Sequence, residues 1–304
     1  MTHVATLVCN PLSPVLTEAL SRRALAALPR ADVVRWLNPG VAADIAFTPD
    51  APEDLKRLAN SVRAAISGEP VDVIIQSAQG RRRKLLTADM DSTMIGQECI
   101  DELAAEVGKK AHVAAITERA MRGEIAFEAA LRERVALLKG LDRGVIAKVI
   151  ESAITLTPGG GALVRTMRHH GAHTALVSGG FTAFTRVMAK MIGFDEDHAN
   201  ELALDANGCF TGGLIEPVLG AEAKLATLRR LRTERGLTIA ETIAVGDGAN
   251  DLPMLLEAGL GVAFHGKPAV SAAAHVRIDH ADLTALLYAQ GFAREDFICE
   301  QSDR

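Results

Sequence analysis

The residues best placed to do chemistry gather in one short run. Leu85-Leu86-Thr87-Ala88 is apolar enough for a strand, and Asp89-Met90-Asp91-Ser92-Thr93 follows with two carboxylates at positions i and i+2. A pair of acids at a strand's end can divide the work: one serves as nucleophile or metal ligand while its neighbour carries protons. The chain is expected to leave strand geometry at Asp89, on the C-terminal edge of an open α/β sheet, where such folds collect their ligands. Alone, D-x-D-S/T does not separate this reading from a chance pairing.

Three later runs bear on it. Ser178-Gly179-Gly180 stands between apolar Ala175-Leu176-Val177 and the helical residues after it. Glycine lets a backbone approach a phosphate closely, and helix-start amides supply donors, although an ordinary βα turn has the same composition. Lys224 opens another helical run; a lysine there is either a surface charge or a cation for a phosphate. Ile243-Ala244-Val245 leads into Gly246-Asp247-Gly248-Ala249-Asn250-Asp251. Asp, Asn and Gly are common turn formers, but turn chemistry does not explain why a second strand also ends in acid. Hard oxygen ligands from two strand ends suit Mg²⁺, which keeps waters and takes a phosphate oxygen. A carboxylate nucleophile, a proton carrier, a divalent ion and a cation together meet the demands of phosphoryl transfer.

The elements that position these residues follow from periodicity. Residues 1 to about 80 read as βαββαβ, with strands at 4–9, 32–37, 43–48 and 71–76 and helices at 15–28 and 52–66. That order suits a small ferredoxin-like sandwich. From Lys84 the pattern changes. A helical stretch from about 98 to 151 is divided by Gly108, Gly123 and Gly140 into about four helices. Strands and helices then alternate: strand 172–177, helix 181–192, a hairpin of 201–206 and 209–213 about Asn207-Gly208, helix 224–235, strand 242–245, helix 252–257 and strand 261–264. Such alternation argues for an α/β fold with a doubly wound, mostly parallel sheet. The helical stretch is then a cap inserted over the sheet's C-terminal edge. The expected domains are 1–82 and 83–304, with the cap at about 96–156.

Composition sets outer bounds. The 304 residues are 48% hydrophobic and 23% charged, close to a soluble globular average. A net charge of −5 gives no drive toward nucleic acid or anionic membrane. The basic run Arg81-Arg82-Arg83-Lys84 reads as a solvated lead-in to the next strand. Cys9, Cys99, Cys209 and Cys299 form no C-x-x-C pair, which argues against a zinc site or a disulfide framework and fits a reducing cytoplasm. The start of the chain lacks signal-peptide character, and no apolar run reaches the ~18 residues a membrane span needs. The expectation is a cytoplasmic protein that binds neither nucleic acid nor membrane. His169, His170 and His173 cluster near a turn without a convincing ligand set.

The order D-x-D-S-T, Ser178, Lys224, G-D-G-x-N-D over about 84–270 resembles the haloacid dehalogenase-like hydrolases, and in particular their phosphoserine phosphatases. The narrower likeness rests on Asp89 to Ile95, on Glu98-Cys99-Ile100-Asp101-Glu102-Leu103-Ala104, on Thr117 to Glu124, and on Phe127 through Arg134. The resemblance implies that Asp89 is the nucleophile that becomes aspartyl-phosphate and Asp91 the general acid and base. It implies Mg²⁺ held by Asp89, the Asp91 backbone carbonyl and Asp247, with Asn250 and Asp251 shaping the surroundings. Ser178, the Gly179 amide and Lys224 would hold the phosphate, although the run 217–223 before Lys224 departs from the family's usual pattern. Glu98 would pair with the ammonium of O-phosphoserine and Arg134 with its carboxylate, while Met121 and Phe127 close over the site. The activity implied is hydrolysis of O-phosphoserine, the last step of phosphorylated serine synthesis. Two rivals stay open: the same chemistry with another small phosphoester or acceptor such as homoserine, and a catalytically idle amino-acid-binding regulator. The first domain resembles ACT-type modules; whether it binds an amino acid, forms a homodimer or only supports its neighbour stays open as well.

Overall fold

The computed structural model describes residues 1–50, 55–121 and 124–298, without the side chain of Met121. The expected start of the second helix at Pro52, the Arg122-Gly123 part of the motif, the closing role given to the Met121 side chain, and Cys299 therefore lie outside the described residues.

The first six elements are β1 (His3–Cys9), α1 (Glu18–Ala26), β2 (Val34–Asn38), β3 (Ala42–Phe47), α2 (Leu55–Ala65) and β4 (Val71–Ser77). They form the expected βαββαβ unit, an antiparallel sheet in the order β2-β3-β1-β4. Strand alternation divides its faces. Ala5, Leu7, Ile45, Val73 and Ile75 pack with Leu20 and Val62 of the helices. Val8 and Ile74 point the other way and join the core of the rest of the chain, beside Leu286 and Tyr288. Both faces are thus covered, which is why β1 is buried almost throughout.

The remainder runs β5 (Leu85–Ala88), four helices α3 (Cys99–Glu106), α4 (Lys110–Met121), α5 (Phe127–Ala136) and α6 (Val145–Ala153), then α7 (Gly160–His169), β6 (His173–Phe181), α8 (Thr182–Ile192), β7 (Glu196–Leu204) and β8 (Phe210–Ile215). It ends α9 (Ala221–Glu234), β9 (Thr242–Gly246), α10 (Leu252–Glu257), β10 (Leu260–Phe264), α11 (Pro268–Ala273), β11 (Val276–Ile278) and α12 (Ala285–Ala289). Seven strands make one sheet in the order β11-β10-β9-β5-β6-β7-β8. Every pairing is parallel except the β7–β8 hairpin. All four residues of β5 are buried, as expected of a central parallel strand covered on both faces. The hairpin strand starts earlier than periodicity suggests: Glu196–Asn200 pairs parallel with β6 before the strand turns antiparallel to β8. Helices α3–α6 leave and rejoin the sheet through a narrow neck, where Ile95 and Leu156 form an antiparallel bridge and the Gly96 amide donates to the Thr155 carbonyl at 3.0 Å. Among the described residues no helix is long and apolar enough to cross a membrane, and Cys9, Cys99 and Cys209 are free thiols.

Candidate active site

The order β10-β9-β5-β6 brings the expected residues to neighbouring strand ends. Asp89 follows β5 directly, and its Oδ1 accepts the Met90 amide at 2.8 Å. Residues i and i+2 of a strand already share a face, so the two acids need no break in strand geometry to reach one side. The break is there nonetheless, at Ser92 (φ +56°), and it turns the chain toward the neck. Asp91 is fixed by two donors: the Cys99 amide to Oδ1 at 2.8 Å and the Ser178 hydroxyl to Oδ2 at 3.1 Å. Burial, then the nearby Glu98, lift its carboxyl from 3.8 to about 6. An acid tuned there can give and take a proton near neutral pH.

Beneath the strand ends lies a buried ionic core. Lys224 Nζ is 2.6 Å from Asp89 Oδ1 and 2.7 Å from Asp251 Oδ1, with only 2% of the lysine side chain exposed. Asp251 Oδ2 accepts the Gly248 amide at 3.0 Å. Burial tends to discharge Lys224, but the two carboxylates prevail and raise its affinity for the proton. Burial, Asp251 and Asp91 push the Asp89 carboxyl well above its usual range against the pull of Lys224. Asp247, just above, is lifted to about 6 mainly by burial. One carboxylate oxygen each from Asp89, Asp247 and Asp251 lie within 4.8 Å of one another. Three buried acids held this close against one ammonium leave excess negative charge and hard oxygen donors. That donor set fits a divalent cation.

A cleft of about 700 Å³ opens above this core. Asp89, Asp91 and Asp247 line it from the sheet, and Glu98, Phe127 and Arg134 line it from the helical insertion. Glu98 Oε1 accepts the Ser92 hydroxyl at 2.8 Å, tying the head of the insertion to the acidic turn. Arg134 donates to the Ala130 carbonyl at 3.2 Å and the Thr117 hydroxyl at 3.3 Å. Phe127 rests over two backbone segments: a Cβ on Gly179 would lie 3.1 Å from its ring and one on Gly220 3.5 Å. The structure therefore brings Asp89, Asp91, Asp247, Asn250, Gly179, Glu98, Phe127 and Arg134 to one cleft. Ser178, Lys224 and Asp251 are buried behind that lining. Two readings shift. Asp251 stands among the clustered carboxylates and not merely beside them, and Lys224 is committed to two acids before any phosphate arrives.

Sequence reasoning missed three contributors. Gly180 touches Asp91: a Cβ there would lie 2.7 Å from Oδ2. Asn200 donates to the Gly179 and Leu219 carbonyls at 2.9 and 3.1 Å and accepts the Leu219 amide at 2.7 Å, joining the two segments under Phe127. Lys267 lines the cleft with Nζ 3.7 Å from Asp247 Oδ2. The rule that exposed Asp89 and Asp247, a polar residue just past a parallel strand, also points at Lys267 after β10. Asn200 gave no such signal, since it lies inside a strand.

Comparison with known proteins agrees with this geometry. The family model for the haloacid dehalogenase-like hydrolases matches residues 86–256. A phosphoserine phosphatase of Streptomyces coelicolor is 38% identical over 96% of this chain and 71% of its own length. Among solved structures, a probable phosphoserine phosphatase from Vibrio cholerae in its unliganded form superposes with a TM-score of 0.74 at 30% identity, covering 97% of this chain and 88% of that one. A phospho-aspartyl intermediate analogue of phosphoserine phosphatase superposes with a TM-score of 0.64 at 38% identity, covering 68% of this chain and 98% of that one. The chain belongs to the haloacid dehalogenase-like hydrolases and, within them, to the phosphoserine phosphatase family.

Proposed function

We propose that this haloacid dehalogenase-like hydrolase is a Mg²⁺-dependent phosphatase that converts O-phosphoserine to serine and phosphate, the closing step of phosphorylated serine synthesis in the cytoplasm. One observation carries the reading: an Asp89–Asp91 pair under the same cleft that Glu98 and Arg134 line from the other side. In the first half-reaction Asp89 attacks phosphorus, the bond from phosphorus to the seryl oxygen breaks, and Asp91 gives that oxygen its proton. In the second, water attacks the aspartyl-phosphate, Asp91 takes the proton, and phosphate leaves with Asp89 restored. Asp89, Asp247 and the Asp91 carbonyl would hold Mg²⁺, with Asp251 in the same carboxylate cluster and Asn250 beside it; a bound divalent ion would supply charge neutralisation on the phosphoryl oxygens. The Ser178 hydroxyl and the Gly179 amide orient the phosphate. Glu98 faces the substrate ammonium, and Arg134 offers a guanidinium fork to its carboxylate. Phe127, 37% exposed over Gly179 and Gly220, shields the cleft from water. We divide the chain at 1–82 and 83–304, with the cap at 96–156, on the support of the neck at Ile95 and Leu156.

Purified protein with Mg²⁺ is expected to release phosphate from O-phosphoserine. Asp89→Asn is expected to abolish release while the fold persists by circular dichroism. Activity retained in that variant would remove Asp89 as nucleophile. Formation of O-phosphohomoserine when homoserine is supplied would show a transferase in place of a strict hydrolase.

A further inference from the structure

The strand next to β9 on the side away from β5 is β10, and it too ends at the cleft. Its C-terminal loop carries Lys267, whose side chain is 47% exposed while that of Lys224 is 2% exposed. The loop is held from several directions. The Lys267 amide donates to the Asp247 carbonyl at 3.0 Å, and the His265 amide donates to the Ile278 carbonyl at 2.8 Å. His265 sits in the left-handed region (φ +45°), and its Nε2 bonds the Ala281 carbonyl at 2.9 Å. The backbone under Lys267 is thus fixed, and the freedom of its ammonium lies in the four-carbon stem.

At 3.7 Å from Asp247 Oδ2 the ammonium is drawn by charge without a direct hydrogen bond, which needs about 2.7–3.2 Å. Lys224 differs, since two short contacts already commit it to Asp89 and Asp251. Among the described residues that line the cleft, Lys267 is thus the lysine, and its long contact to Asp247 leaves the ammonium able to turn to an entering anion. Ser178 and Gly179 lie in the C-terminal part of β6, on the other side of β5, so the two sets of donors approach the nucleophile from opposite flanks.

We propose that Lys267 also receives the phosphoryl group of the incoming ester, from the β10 side of the sheet. This rests on the reading above that the substrate is a phosphate ester. The competing role is structural, with Lys267 acting only as a counter-charge for Asp247. An electrostatic contact of the first kind strengthens anion binding and sharpens its dependence on ionic strength.

The test is calorimetric titration of inorganic phosphate into the Mg²⁺-loaded full chain, for the native protein, Lys267→Met and Lys267→Arg. Lys267→Met is expected to weaken phosphate binding about tenfold or more, as loss of one charge-assisted hydrogen bond does. It should leave Mg²⁺ binding equal or tighter, because attraction to Asp247 no longer competes. Lys267→Arg should recover most of the phosphate affinity. With O-phosphoserine, KM should rise by a similar factor, kcat should fall less, and the rise of KM with added salt should flatten. Unchanged phosphate affinity in Lys267→Met overturns the proposal, and tighter Mg²⁺ binding alongside it assigns Lys267 to Asp247 alone. Loss of Mg²⁺ binding together with phosphate binding also overturns it, since the lysine would then be part of the ion site's framework. A native protein that leaves O-phosphoserine intact refutes the proposed activity, yet the phosphate titration still decides the role of Lys267.

Discussion

Gly180 leaves no room for a side chain: a Cβ would lie 2.7 Å from Asp91 Oδ2, 3.0 Å from Ser178 Oγ and 3.4 Å from the Met90 side chain. Its amide also donates to Ser178 Oγ at 2.8 Å, and Ser178 in turn donates to Asp91. Gly180→Ala is therefore expected to push the Asp91 carboxylate off its two donors. Displacements near 1 Å at reacting groups cost roughly 10²-fold in rate, so kcat should fall by about that factor. The melting temperature should change far less, because the carboxylate can yield into the cleft. A variant with native kcat would show that Asp91 tolerates displacement or does not carry the proton. The acids themselves were legible because carboxylates that end apolar strands have few structural reasons to be there. The partners were not. Spacing shows that Gly180 follows Ser178, but not that it abuts an acid just past the neighbouring strand. Nor does it show that Asp251 turns back to the Gly248 amide and takes up Lys224.

At the scale of elements, the basic run before β5 shows what local composition leaves out. Arg81 pairs with Asp44, Arg82 lies over the Phe292 ring at 4.2 Å, Arg83 donates to Gln76 at 2.8 Å, and Lys84 pairs with Glu241 at 2.7 Å. The solvated lead-in read from composition holds for Arg82 and Lys84, which are exposed, while the half-buried Arg81 and Arg83 brace the segment against the first sheet through partners too distant in sequence for any window to reveal. The histidines resolve in the same way. His170 packs on Phe292 with ring centroids 4.8 Å apart. His173, at the start of β6, gives Nε2 to Glu196 Oε1 at 2.5 Å, and His198 gives Nε2 to Oε2 at 2.8 Å. Asp195 lies 3.5 Å from His173 Nδ1, and Arg230 lies 3.5 Å from Glu196. Burial works to raise the Glu196 carboxyl, but the bonds from His173 and His198 outweigh it and hold the group below its ordinary 4.5. A depressed carboxyl contributes stability that is present above its unfolded-state value and lost as pH falls through its folded-state value. Glu196→Gln should thus lower the urea midpoint at pH 7, and the gap from the native protein should be narrower at about pH 3, below the unfolded-state value of about 4.3. An equal gap at both pH values would mean that shape and hydrogen bonding, and not charge, account for the contribution of Glu196.

For the whole molecule, the decisive feature is how the small sheet joins the large one. Alternation along β4 sends Val71, Val73 and Ile75 to the helices of the first unit, leaving Asp72, Ile74 and Gln76 on the opposite face. All three are buried. Asp72 accepts the amides of Asp279, His280 and Ala281 at 2.8, 3.1 and 2.8 Å. Gln76 donates to the Ala289 carbonyl at 2.7 Å, and Asn38 donates to the Tyr288 hydroxyl at 2.8 Å. Around these bonds Val8 and Ile74 share one apolar cluster with Leu286 and Tyr288. Each unit was legible from its own periodicity, whereas the seam was not, because its polar contacts span up to 250 positions. Such a seam makes the first unit a structural part of the catalytic body and not a tethered module. Asp72→Ala strips the acceptor from the buried Ala281 amide and from the part-buried amides of Asp279 and His280, and leaving such donors unsatisfied costs about 2–4 kcal/mol in all. The variant is expected to unfold at correspondingly lower urea, and its amides at 279–281 should exchange with deuterium much faster than those of β5. Asp72→Asn, which keeps one oxygen but turns an NH₂ toward a donor, should fall between. If exchange at 279–281 stays at native rates in Asp72→Ala, the seam is held by its apolar cluster alone, and the carboxylate is dispensable to the joining of the two sheets.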